Sequence, residues 1–371
     1  MSESKGTIFV GMDVHKKAIN VAVTRDGRRE IEDQWQLTNE KRSVKRLVRR
    51  LKKVGAGEIK AAYEAGPCGY ALQRELARQG IDCDVVAPSL IPQKPGDRVK
   101  TDRRDARKLA EMLKAGMLTM VHPPTEEDEA VRDLTRARED AKQDQMRTRH
   151  RLSKFLLRRG IVFHGGSNWT KRHHLWLRGI RFEDEVLQQT FDEYLLAVEQ
   201  AAERVARLNE KIKAVSESDD YREHVGWLRC LRGIDTVTAM TVLAELHDFR
   251  RFTHPRELMS YLGLTPSEYS SSDRTRKGAI TKAGNSHVRR VLIEAAWNYR
   301  HRPGVSATMR RRREGQPAEV IAIADRAQQR LHSRYRKLKD GYNKPHNVVT
   351  VAIARELVGF IWAVLSRGEA A

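Results

Sequence analysis

The apolar positions of the first hundred residues alternate in short bursts and then recur every three or four places. Residues 7–13 (Thr-Ile-Phe-Val-Gly-Met-Asp) form an apolar run of strand length. Residues 19–24 and 29–37 read as two further strands, with Asp26-Gly27 as the hairpin turn between them. A helix is predicted over 39–54, with Val44, Leu47 and Leu51 on one face, and the glycines at 55 and 57 stop it. A strand at 59–64, a helix at 69–78, a strand at 83–87, a loop at 88–96 and a helix from about Thr101 follow. Three strands, helix, strand, helix, strand, loop, helix is the layout of an α/β RNase H-like domain, an order that other α/β folds share.

Pro123-Pro124 marks a boundary, after which the pattern becomes helical and highly charged. Leu187, Phe191, Tyr194, Val198, Ala201, Val205, Leu208, Ile212 and Val215 are spaced alternately four and three, the a/d seam of a coiled coil. A helix upstream, over 126–159, is its natural antiparallel partner or its extension; the same stripe serves pairing between chains or packing within one. From about Trp227 the composition changes again. Gly233 enters a helix at 236–246, either as an ordinary helix start or as a turn that offers backbone N–H groups to a phosphate. A Gly-Ser-Lys-Arg-rich segment at 263–284 precedes further helices. The expected domains are 1–122, 123–222 and 223–371, the last mostly α-helical.

Charge narrows the function classes. With 70 Lys+Arg against 49 Asp+Glu the formal net charge is +21, and the basic residues cluster: residues 141–180 carry ten Lys or Arg and one acid, Asp144. Such clusters suit a polyanionic partner, whose phosphates they neutralise with counterion release. Trp169, Trp176 and Tyr269 sit inside basic stretches, as core residues or as platforms for unpaired bases. Three cysteines without paired spacing argue against a disulfide scaffold and a zinc knuckle. The N-terminal residues lack the apolar core of a signal peptide, and the most apolar stretch, 348–365, contains Arg355 and Glu356. It reads as a buried helix, so no membrane partner is expected and the expected location is the cytoplasm, on the nucleoid.

Four carboxylates stand at suggestive places. Asp13 ends the first strand, Glu64 ends the fourth, and Asp102 and Asp105 open the helix after Lys100-Thr101, one turn apart on one face. In an RNase H-like topology the first and fourth strands are neighbours and the last helix packs across their ends, so the four could converge. Like charges gathered in so basic a chain call for a divalent cation, and Mg²⁺ (or Mn²⁺) takes hard oxygen ligands of this kind. Helix capping alone would account for Asp102 and Asp105. His15 and Lys16 lie beside this group, as phosphate contacts or as an exposed basic pair after a strand. Farther on, Ser270-Ser271-Ser272-Asp273 is followed by Arg274, Arg276 and Lys277. Dense positive charge beside a hydroxyl can stabilise attack on a phosphodiester, though a solvated serine-rich loop has the same composition.

The segments Gly11-Met12-Asp13-Val14-His15-Lys16, Tyr63-Glu64-Ala65-Gly66-Pro67 and Lys100-Thr101-Asp102-Arg103-Arg104-Asp105-Ala106 resemble the DEDD transposases of bacterial insertion sequences, the IS110 family, which includes the Piv-type DNA invertases. Gly263-Leu264-Thr265-Pro266, Tyr269-Ser270-Ser271 and Ile280-Thr281-Lys282-Ala283-Gly284-Asn285 continue the resemblance over nearly the whole chain. It implies a RuvC-like nuclease domain whose Asp13, Glu64, Asp102 and Asp105 bind Mg²⁺. It further implies a C-terminal transposase domain whose serine forms a covalent phosphoserine link to DNA. Placing Tyr269 on the family's tyrosine puts that serine at Ser271, with Ser272 where some members have glycine. Lys16, Lys100, Arg274, Arg276, Lys277 and Lys282 are the basic residues expected to touch nucleic acid. Implied partners are donor and target double-stranded DNA, a non-coding bridge RNA as guide, and further copies of the chain, as dimer or tetramer through the coiled coil. The readings that compete are a metal-only junction nuclease, a Piv-like invertase and a nucleic-acid-binding protein without chemistry.

Overall fold

Alternation in the first residues becomes a sheet in the computed structural model, which describes residues 6–28, 30–54, 57–92, 101–269 and 276–366. The chain divides into two compact units, Met1–Pro124 and Thr125–Ala371.

In the first unit β1 (Ile8–Val14) pairs antiparallel with β2 (Ala18–Arg25), and β2 with β3 (Asp33–Thr38). After α1 (Lys41–Val54), β4 (Ile59–Glu64) returns parallel to β1; after α2 (Ala71–Arg78), β5 (Asp82–Val86) lies parallel to β4. Then come α3 (Asp102–Lys114) and a two-residue β6 (Met120–Val121), antiparallel to β5. The sheet order is β3-β2-β1-β4-β5-β6. Strand alternation sends Ile8, Val10 and Met12 to one face, where Val44, Leu47 and Leu51 of α1 and Leu72 and Leu76 of α2 cover them. The opposite face belongs to α3, whose Ala106 and Ala110 are fully buried beside Ala22, while Leu113 packs on Ala62 and Val86.

The first and fourth strands are neighbours, as expected, and the last helix lies across them. Two boundaries differ from the pattern. The third strand begins at Asp33 instead of residue 29, because the hydrophilic stretch before it carries no inward-facing alternation. Nothing in the pattern announces β6, since two residues are too few to show a period.

Among its described residues the second unit is helical apart from one ribbon. Thr125 and Asp184 cap two long helices, α4 (Glu126–Leu157) and, after a short α5 (Lys171–Arg178), α6 (Glu185–Ser216). Arg138 of α4 donates to Asn209 of α6 at 2.9 Å, while Phe155 packs on Phe191 and Tyr194 at the other end, so the helices are antiparallel. Phe191, Val198, Val205 and Ile212 of the seam are buried, and the interleaved Leu187, Tyr194, Ala201, Leu208 and Val215 are half-buried. The stripe therefore finds its partner within the chain. Beyond it lie α7 (Asp219–Arg229), α8 (Thr236–Leu246) and α9 (Pro255–Tyr261), the ribbon of β7 (Pro266–Glu268) and β8 (Lys277–Ile280), and α10 (Ser286–Ala296). The unit closes with α11 (Ala307–Arg313), α12 (Ala318–Arg336) and α13 (His346–Leu365). By length and composition α13 could cross a membrane, yet Val349, Ile353, Leu357, Ile361 and Val364 are buried in the core formed with α8, α10 and α12. At Gly233 a Cβ would press on the carbonyl of Ala295, so close packing against α10 is what this glycine serves.

Candidate metal centre

The site begins with a residue that has no side chain. A Cβ on Gly11 would collide with the carbonyl oxygen of Ala106 and the amide nitrogen of Ala110, so only glycine lets α3 lie directly on β1. The placement of the acids then follows from two periods. Along β1, Asp13 stands two residues beyond Gly11 and faces the same side; along α3, Asp102 stands four residues before Ala106 and eight before Ala110. The first turn of α3 is thereby brought over the end of β1.

That turn is held in place. Thr101 caps it by accepting from the Arg104 amide, and Gln34 of β3 donates to the Arg103 carbonyl at 2.7 Å. The turn after β1 is fixed as well: the His15 amide donates to Ala18 O at 2.9 Å, and Asn39 donates to His15 O at 2.9 Å. The His15 imidazole consequently sits with Nε2 3.1 Å from Asp13 Oδ2 and 3.7 Å from Asp102 Oδ1. One ligand atom from each of Asp13, His15 and Asp102 lies within 4.8 Å of the other two. The Asp13 side chain is 19% exposed and that of Asp102 59%, so Asp13 forms the floor of the group and Asp102 its rim.

Burial pushes the Asp13 carboxyl above the ordinary aspartate range; His15 pulls it back, and the neighbouring Asp102 and Asp105 push it up again. Asp105 thus acts on Asp13 without belonging to the tight trio. Glu64 is exposed at the end of β4; the parallel register pairs Met12 with Tyr63, and alternation puts Glu64 on the Asp13 side of the sheet. It too lies outside the trio. Sequence reasoning marks His15 as a phosphate contact or as part of an exposed basic pair, not as a partner of Asp13. Its bond to Asp13 depends on the turn that follows the strand, which has no sequence signature of its own. Sequence reasoning misses Asn20 altogether. This residue pairs with Asp13 across β1 and β2, is 3% exposed, and its Nδ2 has no hydrogen-bond partner among the described residues. One amide in the otherwise apolar run Ala18-Ile19-Asn20-Val21-Ala22-Val23 is the signal that could have found it. Hard oxygen donors, an imidazole and a carboxyl destabilised by burial and then by its like-charged neighbours are a donor set that a divalent cation fits. Lys16 is exposed beside the trio, on the turn between β1 and β2.

In the second unit the ribbon flanks the stretch of sequence in which the other site is expected. Tyr269, 80% exposed, donates its amide to Arg276 O at 2.9 Å, so the ribbon brings the two ends of the serine segment together. Ser270, Ser271, Ser272 and Arg274, like Lys100 in the first unit, lie outside the described residues. Arg276, Lys277 and Lys282 are exposed at or near the ribbon. Its base is a close crossing of two turns: a Cβ on Gly263 (φ +61°) would strike the backbone of Ala283, and one on Gly284 (φ +68°) the carbonyl of Tyr261. Asn285 finishes the crossing. Its side-chain oxygen caps α10 through the Val288 amide at 3.0 Å, and its amide donates to the buried Glu245 at 2.6 Å.

Two family models match separate stretches of the chain. A family model for IS110-type DEDD transposases matches residues 10–159, and one described as the transposase IS116/IS110/IS902 family matches residues 227–310. A putative transposase, y4qE, of Sinorhizobium fredii is 41% identical over 96% of this chain and 88% of its own length. The transposase for insertion sequence element IS1533 of Leptospira borgpetersenii is 38% identical over 90% of this chain and 97% of its own. A more distant relative, the transposase for insertion sequence element IS1111A of Coxiella burnetii, is 24% identical over 81% of this chain and 77% of its own.

Proposed function

The chain belongs to the IS116/IS110/IS902 family of transposases, and from that membership we propose that it exchanges DNA strands through a serine-linked intermediate assisted by a divalent metal. Transposases cleave DNA and transfer strands; the finer reading concerns how. The observation that carries it is the meeting of Asp13, Asp102 and His15 at the end of the sheet, with Asp105 close enough to act on Asp13.

In this reading the first unit is an RNase H-like, RuvC-like nuclease domain. Residues 123–222 form a helical, coiled-coil module, and 223–371 the serine-bearing transposase domain. Asp13, Glu64, Asp102 and Asp105 would hold Mg²⁺ or Mn²⁺, which would neutralise charge on the reacting phosphate. His15 steadies the Asp13 carboxylate. The Ser271 hydroxyl attacks the phosphorus: a Ser271 Oγ–P bond forms, the P–O3′ bond breaks, and the departing 3′ oxygen leaves protonated as a free 3′-OH. Attack by a 3′-OH of the partner strand reverses these steps and returns the proton to Ser271, so the phosphodiester energy is conserved and no nucleotide cofactor is required. Lys16, Lys100, Arg274, Arg276, Lys277 and Lys282 hold the DNA backbone. Because donor and target must be joined, at least two copies assemble. A bridge RNA is the proposed guide, and the nucleoid of a bacterial cytoplasm the proposed location.

Denaturing gels after reaction with end-labelled element DNA test the serine step. A protein–DNA adduct is expected from the unmodified chain and from Ser270→Ala, and none from Ser271→Ala. DNA hydrolysis that persists with Ser270, Ser271 and Ser272 all replaced would instead establish a metal-only nuclease.

A further inference from the structure

A second, unassigned site lies at the tip of the α4/α6 hairpin. The segment between α4 and α5 folds back with α5 over the end of α4 and encloses a cavity of about 190 Å³. Its walls are Leu152 and Leu156 of α4 and the rings of Phe163, Trp169, His173 and Trp176. The rings converge: the His173 centroid lies 4.9 Å from that of Phe163, 5.0 Å from Trp169 and 5.4 Å from Trp176. The guanidinium of Arg149 covers the Trp169 ring at 4.9 Å.

Three observations distinguish this cluster from ordinary core. His173 lines the cavity and is 4% exposed, and its Nδ1 has no hydrogen-bond partner among the described residues. An orphaned buried polar atom carries an uncompensated cost. Trp169 holds φ at +65°, a left-handed conformation that is strained for a bulky side chain and collects at ligand sites. Finally, the residues lining the cavity all come from the stretch 145–182, which contains ten Lys or Arg and no Asp or Glu.

We propose that this pocket receives one unpaired nucleobase of a single-stranded nucleic acid. The volume is below the roughly 300–1,000 Å³ of clefts that take drug-sized ligands, and suits a single planar ring system. Aromatic walls give a base its stacking surface, the basic surroundings hold the flanking phosphates, and the imidazole reads an edge of the base. Burial lowers the basicity of His173, which favours the neutral ring with one donor and one acceptor. A base paired in duplex DNA presents no free face to such a pocket. Charge complementarity selects nucleic acid over a protein segment. The inference needs nothing from the metal centre, and its test is run without metal.

Fluorescence anisotropy in EDTA would compare labelled single strands of about 12 nucleotides with strands of the same backbone lacking bases. The full-length chain is expected to bind the base-bearing strand about ten- to hundred-fold more tightly, the range that stacking supplies. Trp169→Asn tolerates the left-handed backbone and is expected to abolish that preference while leaving affinity for the baseless strand unchanged. RNA and DNA versions distinguish the source, an RNA preference pointing to a guide strand and a DNA preference to a displaced strand. Photocrosslinking of a bromouracil-bearing strand to the unmodified chain provides a measurement independent of variant folding, with adducts expected on the peptide spanning 160–182. Equal affinity for both strands, preference for duplex, or adducts confined to other peptides would overturn the proposal. So would a Trp169→Asn variant that alters self-association and keeps the base preference, which would make the pocket a contact between copies.

Discussion

Replacing Gly11 with alanine perturbs the metal centre without touching a carboxylate. The added Cβ would lie 3.0 Å from the Cα of Ala110 and nearer still to Ala106 O and Ala110 N. Carbon atoms pack at about 3.5–4.0 Å, so relief of the closest contacts requires α3 to retreat by about 1 Å. All of the colliding atoms are backbone, and Ala106 and Ala110 are fully buried, so no side-chain rotation can absorb the clash. Overpacking of this kind costs about 1–3 kcal/mol. The retreat also carries Asp102 and Asp105 away from Asp13, and a misplacement of about 1 Å can cost on the order of a hundred-fold in rate. DNA cleavage, Mn²⁺ binding by electron paramagnetic resonance and thermal unfolding should therefore all deteriorate in Gly11→Ala. Gly66→Ala, where the nearest atom to the new Cβ is Glu64 O at 3.9 Å, is the control expected to change none of them. Full activity and an unchanged midpoint in Gly11→Ala would refute the idea that close packing of α3 builds the site.

The remaining expectations concern charge and packing. Burial and the carboxylates of Asp102 and Asp105 raise the folded Asp13 pKa, so its ionised form costs stability above that pKa, and the cost fades as pH falls through it. Asp13→Asn in EDTA at pH 7 should accordingly unfold no earlier than the unmodified chain while DNA cleavage is lost; a midpoint several degrees lower would contradict this. For Glu245, burial pushes the pKa up but hydrogen bonds from Arg136 and Asn285 outweigh it, and the net shift is downward. Its contribution is present above the ordinary value of 4.5 and disappears as pH falls through the lowered one. Arg136→Ala leaves that carboxylate buried without its main partner and should cost about 3–5 kcal/mol in urea titration at pH 7, with the deficit shrinking on acidification. Phe191→Ala in the hairpin should cost about 3–5 kcal/mol by the same measurement.

Legibility in the sequence follows the range of the physics involved. The strand at 59–64 and the helix at 236–246 match β4 and α8 residue for residue, because alternation and helical period are local and both segments are bounded by punctuation. The a/d stripe is equally plain, but not its partner: an apolar seam records that something covers it, whereas the identity of α4 as that cover is a tertiary fact. Asp13 and Asp102 can be singled out from their places at element ends. Asn20 cannot, since its position opposite Asp13 depends on strand register, and neither can His15 as a neighbour of both acids. The ribbon of β7 and β8 is hidden for another reason. Its strands are three and four residues long, and the motifs beside it, Gly263 to Asn285, turn out to be occupied in making a turn crossing.

The two units treat their interior acids in opposite ways, and that contrast separates support from chemistry. In the second unit Glu139 meets His287 at 2.8 Å and Arg290 at 2.8 Å, and Glu245 meets Arg136 at 2.7 Å and Asn285 at 2.6 Å; both carboxylates are held below their ordinary range despite burial. A buried charge answered by the protein's own cations is a finished structure, and its removal is felt as lost stability. At the end of the first sheet burial also raises the carboxyl, but the neighbours of Asp13 are two further aspartates and a single imidazole, and the net shift is upward. The Asp13 carboxyl is therefore left without the answering cations that Glu139 and Glu245 have. A divalent cation held by Asp13 and its neighbours, as proposed above, would relieve that repulsion.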